Sequence, residues 1–240
     1  EQNKQIASQV EELKQAEAVR REFSANVSHE LKTPLMSISG YAEIMKNGMV
    51  RPQDISEFAG RIYDEASRLT SLVQDIIEIS KLDEKSGEMP FENVDIYEIA
   101  QDICQNLTLQ SKKKNVTLSI EGSNVEIYGV RHILYEMCYN LVDNAMKYNR
   151  EGGYVKVSLS TTEDHVRFTV EDNGIGIAKE EQERIFERFY RVDKSHSRKT
   201  GGTGLGLSIV KHGAALHHAQ ITLESEPEKG TKIQVFFKKS

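Results

Sequence analysis

Long apolar runs are missing from this sequence. No stretch of its 240 residues reaches membrane-spanning length, and no secretory signal opens it, which argues against a transmembrane helix within the chain. Cysteine is nearly missing too. Cys104 and Cys138 are the two present, and each sits in an apolar helical pattern, so buried reduced thiols are expected, as suits a reducing compartment. An excess of positive charge is also lacking. The net charge is −6 with the acids spread along the chain, which removes a general electrostatic reason to bind nucleic acid or an anionic membrane. There is no internal repeat and no low-complexity segment. What is present is 38% hydrophobic and 28% charged residues, enough for one large domain or two small ones. The sequence starts at Glu1 in mid-pattern, with Ile6, Val10 and Leu13 spaced as a coiled-coil seam, so it is expected to be an excised piece of a longer protein.

Two regions follow different grammars. Up to about residue 86 every signal is helical. Ile55, Phe58, Ile62, Glu65, Leu69, Leu72, Ile76 and Ile79 step by three and four, a heptad seam with one polar member. Leu31, Leu35, Ile38, Ala42 and Met45 step the same way before it, and Asn47-Gly48 and Pro52 break the chain between them. A helical hairpin is predicted. Its narrow seam buries little alone, so two copies are expected to form a dimeric four-helix bundle. "EKSGEMPFENV" reads as a linker. Helices then alternate with strands: a helix at residues 95–115, strands in "VTLSIEG" and "VEIYG", a helix at 131–149, and a hairpin at 153–174. A short helix is expected in "KEEQERIFERFY", another in "GLGLSIVKHGAALHHA", and two closing strands in "AQITLESE" and "TKIQVFF". Helices on one face of a mixed sheet make an α/β sandwich.

Four stretches could carry chemistry. In "FSANVSHELKTPL", His29 lies two positions before Leu31, about 200° round the helix, and should face solvent with Thr33 on its side. Pro34 should bend the helix. A solvated surface histidine and a reactive one both fit. No second ligand stands at a zinc spacing, since position 33 is Thr. In "NLVDNAMKY", Asn140, Asn144 and Lys147 fall within about 60° of one another. They are either a wet face or hard oxygen ligands for Mg²⁺ beside a cation for phosphates. In "VEDNGIGI", Asp172 ends a strand before an Asn-Gly turn. It could accept from a base amino group, with Gly174 and Gly176 admitting a flat ring. In "KTGGTGLGLSIVKH", glycines crowd a loop that opens a helix and suits phosphate, although it is neither a Walker loop nor a dinucleotide fingerprint. "RVDKSHSRKT" before it reads as a lid over an anionic ligand.

In this order the stretches resemble the catalytic core of sensor histidine kinases of two-component systems. "FSANVSHELKTPL" is similar to the phosphoacceptor box and "NLVDNAMKY" to the asparagine box. "DNGIGI", "ERIFERFYR" and "GGTGLGLSIVKH" are similar to the first glycine box, the phenylalanine box and the second glycine box. "EASRLTSLVQDIIEISKLD" resembles the second hairpin helix. The resemblance implies an N-terminal signalling helix at 1–22, a dimerisation and histidine-phosphotransfer hairpin at 23–86, and an ATP-binding α/β sandwich of the chaperone and topoisomerase ATPase type at 91–240. It implies ATP and Mg²⁺ as cofactors. His29 would be the phosphoacceptor, Glu30 its general base, and Thr33 the residue positioning water when a partner is dephosphorylated. Asn144 would hold Mg²⁺ with Asn140 in support, Lys147 would contact phosphates, and Tyr148 the nucleotide. Asp172 would read the adenine amino group beside Gly174 and Gly176. Phe186 and Phe189 would anchor the lid, and Gly202, Thr203, Gly204, Leu205 and Gly206 would hold the phosphates. The implied partners are a second copy through the hairpin and the receiver domain of a response regulator, which takes the phosphoryl group on an aspartate. A membrane would enter only through a sensor region N-terminal to this soluble, cytoplasmic portion. Two departures stand out. His217-His218-Ala219-Gln220 replaces a His-Gly-Gly-like turn, and "FFKKS" lacks a terminal Leu-Pro. Two rivals are an ATP-hydrolysing machine of the related superfamily, which needs a glutamate base where this chain has Asn140, and a non-enzymatic scaffold that kept the fold.

Overall fold

The computed structural model describes residues 2–83, 89–192 and 202–239. The side chains of residues 2–9, 12–13 and 15–16 fall outside that description, and with them Ile6 and Leu13 of the expected coiled-coil seam. So does most of the expected lid, its residues 193–200. The chain forms two compact units, Glu1–Ile76 and Ile77–Ser240.

The first unit is built on α1 (Gln2–Lys46) and on α2 (Ile55–Asp83) as far as Ile76; the last turns of α2 belong to the second unit. A short 3₁₀ turn at Pro52–Asp54 joins the two helices. The α2 seam is buried in the phase that its sequence predicts, with Leu72 4% exposed and Phe58, Ile62, Glu65 and Leu69 half-buried; Ile55 at its start is 47% exposed. On α1 the inward stripe is Leu31, Pro34, Ile38, Tyr41 and Met45. Leu35 and Ala42, expected on the seam, are exposed instead. The stripe turns because Tyr41 rather than Ala42 reaches α2, where its ring meets Phe58 edge-on at 5.6 Å. The helix runs on as one element through Pro34. The imide there cannot donate to the Glu30 carbonyl. Around it the Thr33 hydroxyl donates to the His29 carbonyl (3.3 Å) and the Ser37 hydroxyl to the Thr33 carbonyl (3.2 Å), so side chains add bonds where the ladder is thinned.

The second unit is an α/β sandwich. Strand β1 (Glu92–Asp95) occupies the end of the expected linker and pairs with β3 (Glu126–Gly129). The main sheet holds β2 (Thr117–Glu121), β4 (Tyr154–Thr161), β5 (His165–Asp172), β6 (Gln220–Glu226) and β7 (Gly230–Lys238). Its order is β2-β4-β5-β7-β6, parallel between β2 and β4 and antiparallel elsewhere. Alternate residues Val155, Val157, Val166, Phe168, Val170, Val235 and Phe237 are buried beneath three helices. These are α3 (Ile96–Lys114), α4 (Arg131–Lys147) and α5 (Gly206–Leu216), with α4 between the other two. Full burial of each such apolar side chain contributes about 1.5–3 kcal/mol. Helix α3 starts where the Asp95 carboxylate caps the amides of Tyr97 (2.9 Å) and Glu98 (3.3 Å). It stops where Asn115 takes a left-handed backbone (φ 53°). Burial raises both thiols, that of Cys104 to about 11 and that of Cys138 further, which keeps them protonated.

The segment expected as a helix from Lys179 is instead two 3₁₀ turns, Lys179–Glu181 and Arg184–Phe186. Only Ile185 in it is buried, and Phe189 turns left-handed (φ 62°) to donate its amide to the Gly204 carbonyl at 2.8 Å. A helix cannot continue through that residue.

His217, in the turn that departed from the family pattern, ties α5 to α4. Its ring is buried; Nδ1 pairs with the Gly213 carbonyl (2.7 Å) and Nε2 accepts the Val130 amide (3.0 Å) at the start of α4. Both bonds require the neutral ring, and burial holds its pKa below the ordinary value of 6.5. Below about pH 6.5 the unfolded chain binds a proton that the folded chain resists, so this residue's contribution is intact above 6.5 and lost as pH falls toward the folded pKa. Calorimetry from pH 7.5 to 5.5 is expected to show a falling Tm, with a shallower acid slope in His217→Leu. That variant is less stable by about 1–3 kcal/mol at pH 7.5, because the Val130 amide is left unpaired.

Candidate functional site

Three segments of the second unit converge at the C-terminal end of α4. The helix carries Asn140 and Asn144 one turn apart, both half-buried, with Lys147 near its end. Asn140 Nδ2 donates to the Glu136 carbonyl (2.8 Å). Its Oδ1 therefore faces the glycine loop, where a methyl added at Gly206 would stand 2.5 Å from it. One turn past Asn144, Tyr148 brings its hydroxyl to the same loop, 3.1 Å from where a methyl on Gly202 would lie. The carbonyl of Tyr148 accepts the Ile175 amide (3.2 Å), which stitches the loop after β5 to the end of α4. A methyl at Gly174 would meet that carbonyl at 2.4 Å, so only glycine fits. Gly176 is left-handed (φ 67°), and a side chain there would collide with the Glu226 carbonyl.

Asp172 sits at the last position of β5, between β4 and β7. Burial lifts its carboxyl to about pH 6, against the pull of hydrogen bonds from the amides of Gly174 (2.8 Å) and Thr231. A carboxylate desolvated this far is poised to accept from a ligand donor. At the other end of the loop, the Leu205 amide bonds to the Thr203 hydroxyl (3.2 Å), Leu205 is fully buried and Gly206 begins α5. Gly204 is left-handed (φ 77°) and packs on the Phe189 backbone, while Phe186 is half-buried in the second 3₁₀ turn.

Half of the twelve expected nucleotide residues are thus neighbours: Asn140, Tyr148, Asp172, Gly174, Gly202 and Gly206 are joined by these contacts. Lys147 is placed differently from a free cation, since its ammonium pairs with the buried carboxylate of Asp143 at 2.6 Å. Asp143 escaped the sequence reading although its i,i+4 spacing to Lys147 was visible. Lys114 escaped it with no local signal. Its ammonium caps the end of α4 by donating to the carbonyls of Met146 and Lys147, both at 3.3 Å, and burial lowers its pKa.

In the first unit the His29 side chain is 80% exposed, as its phase predicts. Its Nδ1 stands 3.7 Å from the Glu30 carboxylate, which is 27% exposed. Thr33 is exposed one turn on.

Comparison with known proteins gives this geometry its family. Residues 19–85 match the His Kinase A (phospho-acceptor) domain, and residues 129–240 match the histidine kinase-, DNA gyrase B- and HSP90-like ATPase. The sensor-like histidine kinase SenX3 of Mycolicibacterium smegmatis is 38% identical over 216 residues, 90% of this chain and 56% of the relative. The chain thus spans about half the length of the curated relative it matches. Full-length ShkA, solved in complex with AMPPNP, superposes with a TM-score of 0.65 at 26% identity, over 90% of this chain and 45% of that one. ThkA, solved with the response regulator TrrA, shares the fold at a TM-score of 0.75 and 24% identity, over 95% of this chain and 64% of that one. Helical hairpin, ATPase-type sandwich and sequence relatives agree, and the chain belongs to the sensor histidine kinases, of which it carries the catalytic core.

Proposed function

We propose that this chain transfers the γ-phosphoryl group of ATP to its own His29 and then to an aspartate of a response regulator. The observation that carries this reading is an exposed histidine beside a carboxylate in a chain whose second unit holds a desolvated acceptor, Asp172, against a glycine loop. Asp172 accepts from the adenine amino group, Gly174 and Gly176 leave room for the ring, and Tyr148 flanks it. The backbone of residues 202–206 faces the phosphates at the start of α5. Asn144, supported by Asn140, offers hard amide oxygens of the kind Mg²⁺ takes; Asn140 meets the loop and Asn144 follows one turn on along α4, which fits a metal shared with phosphate. Bound Mg²⁺ supplies neutralisation of phosphate charge. Lys147 reaches phosphate by exchanging its Asp143 partner for the ligand. Glu30 accepts a hydrogen bond from Nδ1–H, which holds the proton there so that Nε2 of His29 presents its lone pair. The new bond is Nε2–Pγ, the bond broken is from Pγ to the bridging oxygen, and ADP leaves with that electron pair.

The hairpin is proposed to act as a homodimer. Leu35, Met36 and Val73 are 55%, 63% and 41% exposed in the single chain, an apolar surface that a second hairpin would cover. Residues 1–22 then serve as a signalling helix, 23–86 as the dimerisation and phosphotransfer hairpin, and 91–240 as the ATP domain. A response regulator as the acceptor accords with the partner in the ThkA structure, and a sensor region beyond this chain would provide the link to a membrane. Thr33, exposed one turn past His29, would orient water in a regulator phosphatase step.

Incubation with γ-labelled ATP and Mg²⁺ is expected to give acid-labile, base-stable protein label that His29→Gln abolishes. Free phosphate without labelled protein would instead mark an ATPase, and neither product a scaffold. Asn140→Ala is expected to lower the labelling rate by roughly 10- to 100-fold, the scale of losing a group that orients a metal ligand, and Asn144→Ala by more.

Asp172 gives a second test with opposite signs in stability and function. Its folded pKa of about 6 lies above the ordinary 3.8, so between these values the folded state holds the proton more tightly. The group therefore costs stability above about pH 6 and the cost vanishes in acid. Asp172→Asn is expected to raise the Tm of the nucleotide-free protein at pH 7.5 by a few degrees, while ATP binding measured by calorimetry weakens at least tenfold and its preference over GTP is lost.

A further inference from the structure

We propose that Arg68 is a positioning residue for the His29–Glu30 pair and that Glu65 competes for it. The inference deepens the reading of His29 as phosphoacceptor and rests on it. Glu65 is the one polar member of the α2 seam, at a heptad position where an apolar residue would be more stable. In the structure its Oε2 is buried without a hydrogen bond, an expensive state for a carboxylate oxygen unless a charge stands nearby. Arg68 supplies that charge. Its side chain is only 15% exposed and lies between two carboxylates, with Nη1 3.9 Å from Glu65 Oε2 and Nη2 3.8 Å from Glu30 Oε2. The other oxygen of Glu30, Oε1, is the one 3.7 Å from His29 Nδ1. A chain of charge thus runs from the α2 seam to the reactive ring.

Each of these distances exceeds a hydrogen bond by a few tenths of an ångström, so the guanidinium is committed to neither acid. Its planar fork can bind one carboxylate in a bidentate pair but not two at once. Turned to Glu30, Arg68 fixes the carboxylate plane with one oxygen aimed at Nδ1. The imidazole is then held with its proton on Nδ1 and its Nε2 lone pair outward, the tautomer that attacks phosphorus. Turned to Glu65, it withdraws its charge from Glu30 and no longer fixes the carboxylate plane. A small displacement of α2 relative to α1 decides between them, because Arg68 and Glu65 ride on α2 while Glu30 and His29 ride on α1. The polar seam position then has a function: it keeps the guanidinium partly withdrawn from the reactive pair.

Opposite signs separate this role from a structural one. Autophosphorylation of the full chain is measured against ATP concentration, alongside the ¹⁵N imidazole shifts of His29. Arg68→Gln is expected to lower kcat by roughly 10- to 100-fold with KM for ATP unchanged, and to move His29 toward the Nε2–H tautomer. Arg68→Lys recovers part of the rate. Glu65→Gln raises kcat by about 2- to 5-fold, as expected for releasing a partly exposed ion pair, and shifts the tautomer the other way. If both neutral variants slow the reaction together with a loss of helicity, or if neither moves the ¹⁵N shifts, the proposal fails. Should Arg68→Gln not fold, Glu65→Gln and Arg68→Lys still decide it, since no rise in the first sinks it. Persistent label in His29→Gln would overturn the kinase reading itself; label lost there with Arg68→Gln at the parental rate would overturn only the role of Arg68.

Discussion

Helix α4 is pinned at both ends by bonds from residues far along the chain, and the nucleotide site depends on that pinning. At its start the Val130 amide is satisfied by the buried His217 ring; at its end the Tyr148 carbonyl is taken by the Ile175 amide, and Lys114 covers the carbonyls before it. An unpinned helix would leave these groups to water and fray by a turn. That last turn holds Asn144, Lys147 and Tyr148. The bonds that satisfy the helix ends are therefore the bonds that fix where a ligand can be met. The turn with His217 and His218 departs from the family pattern without loosening this arrangement, because its first histidine performs the tie.

Polar groups are placed against the grain of the core at two positions, and both have functional readings. Asp172 ends a strand whose preceding residues pack inward, and burial raises its pKa to about 6. Glu65 interrupts an apolar seam. Such placements cost stability, and they persist where the surroundings supply partial compensation: two backbone amides for Asp172, a shared guanidinium for Glu65. A ligand donor to Asp172, as proposed, would recover the stability that the fold forgoes there. A site of this kind is most stable when occupied.

Much of this was legible in the sequence because periodicity is a local property. The α2 seam, the alternation of β4 and β5, and the outward phase of His29 follow from spacing, and the structure agrees with each. The misses arise where tertiary contact decides. Leu35 and Ala42 lost their seam positions to Pro34 and Tyr41, because a tyrosine ring three residues past Ile38 and four before Met45 reaches Phe58 on α2, which alanine cannot. The stretch from Lys179 reads as helical by its Glu and Arg content, yet Phe189 must turn left-handed to meet Gly204, a residue 15 positions away. Strand β1 hid in a linker because its partner, β3, lies across a whole helix and a strand. Lys114 carries no mark of its duty at the end of α4, since nothing in a lysine-rich helix end distinguishes one ammonium from its neighbours.

If His29 is the nucleophile, as proposed, a side chain this exposed cannot be activated as buried catalytic groups are. Desolvation and a low local dielectric are not available to a ring with 80% of its side chain in water. What remains is orientation: the choice of tautomer and the direction of one lone pair. A single carboxylate at the next position supplies this weakly, because a glutamate has free rotation about its terminal bonds and Glu30 is held only partly from solvent. Under the proposed function, the rate at such an exposed site depends on how well the carboxylate plane of Glu30 is fixed, and Arg68 is a cation beside it. That requirement is met by a contact from the second helix, where the guanidinium of Arg68 stands 3.8 Å from Glu30. A hairpin whose second helix holds the base thereby couples the reactivity of His29 to the packing of the two helices, which is the quantity that a rearrangement of the bundle would alter.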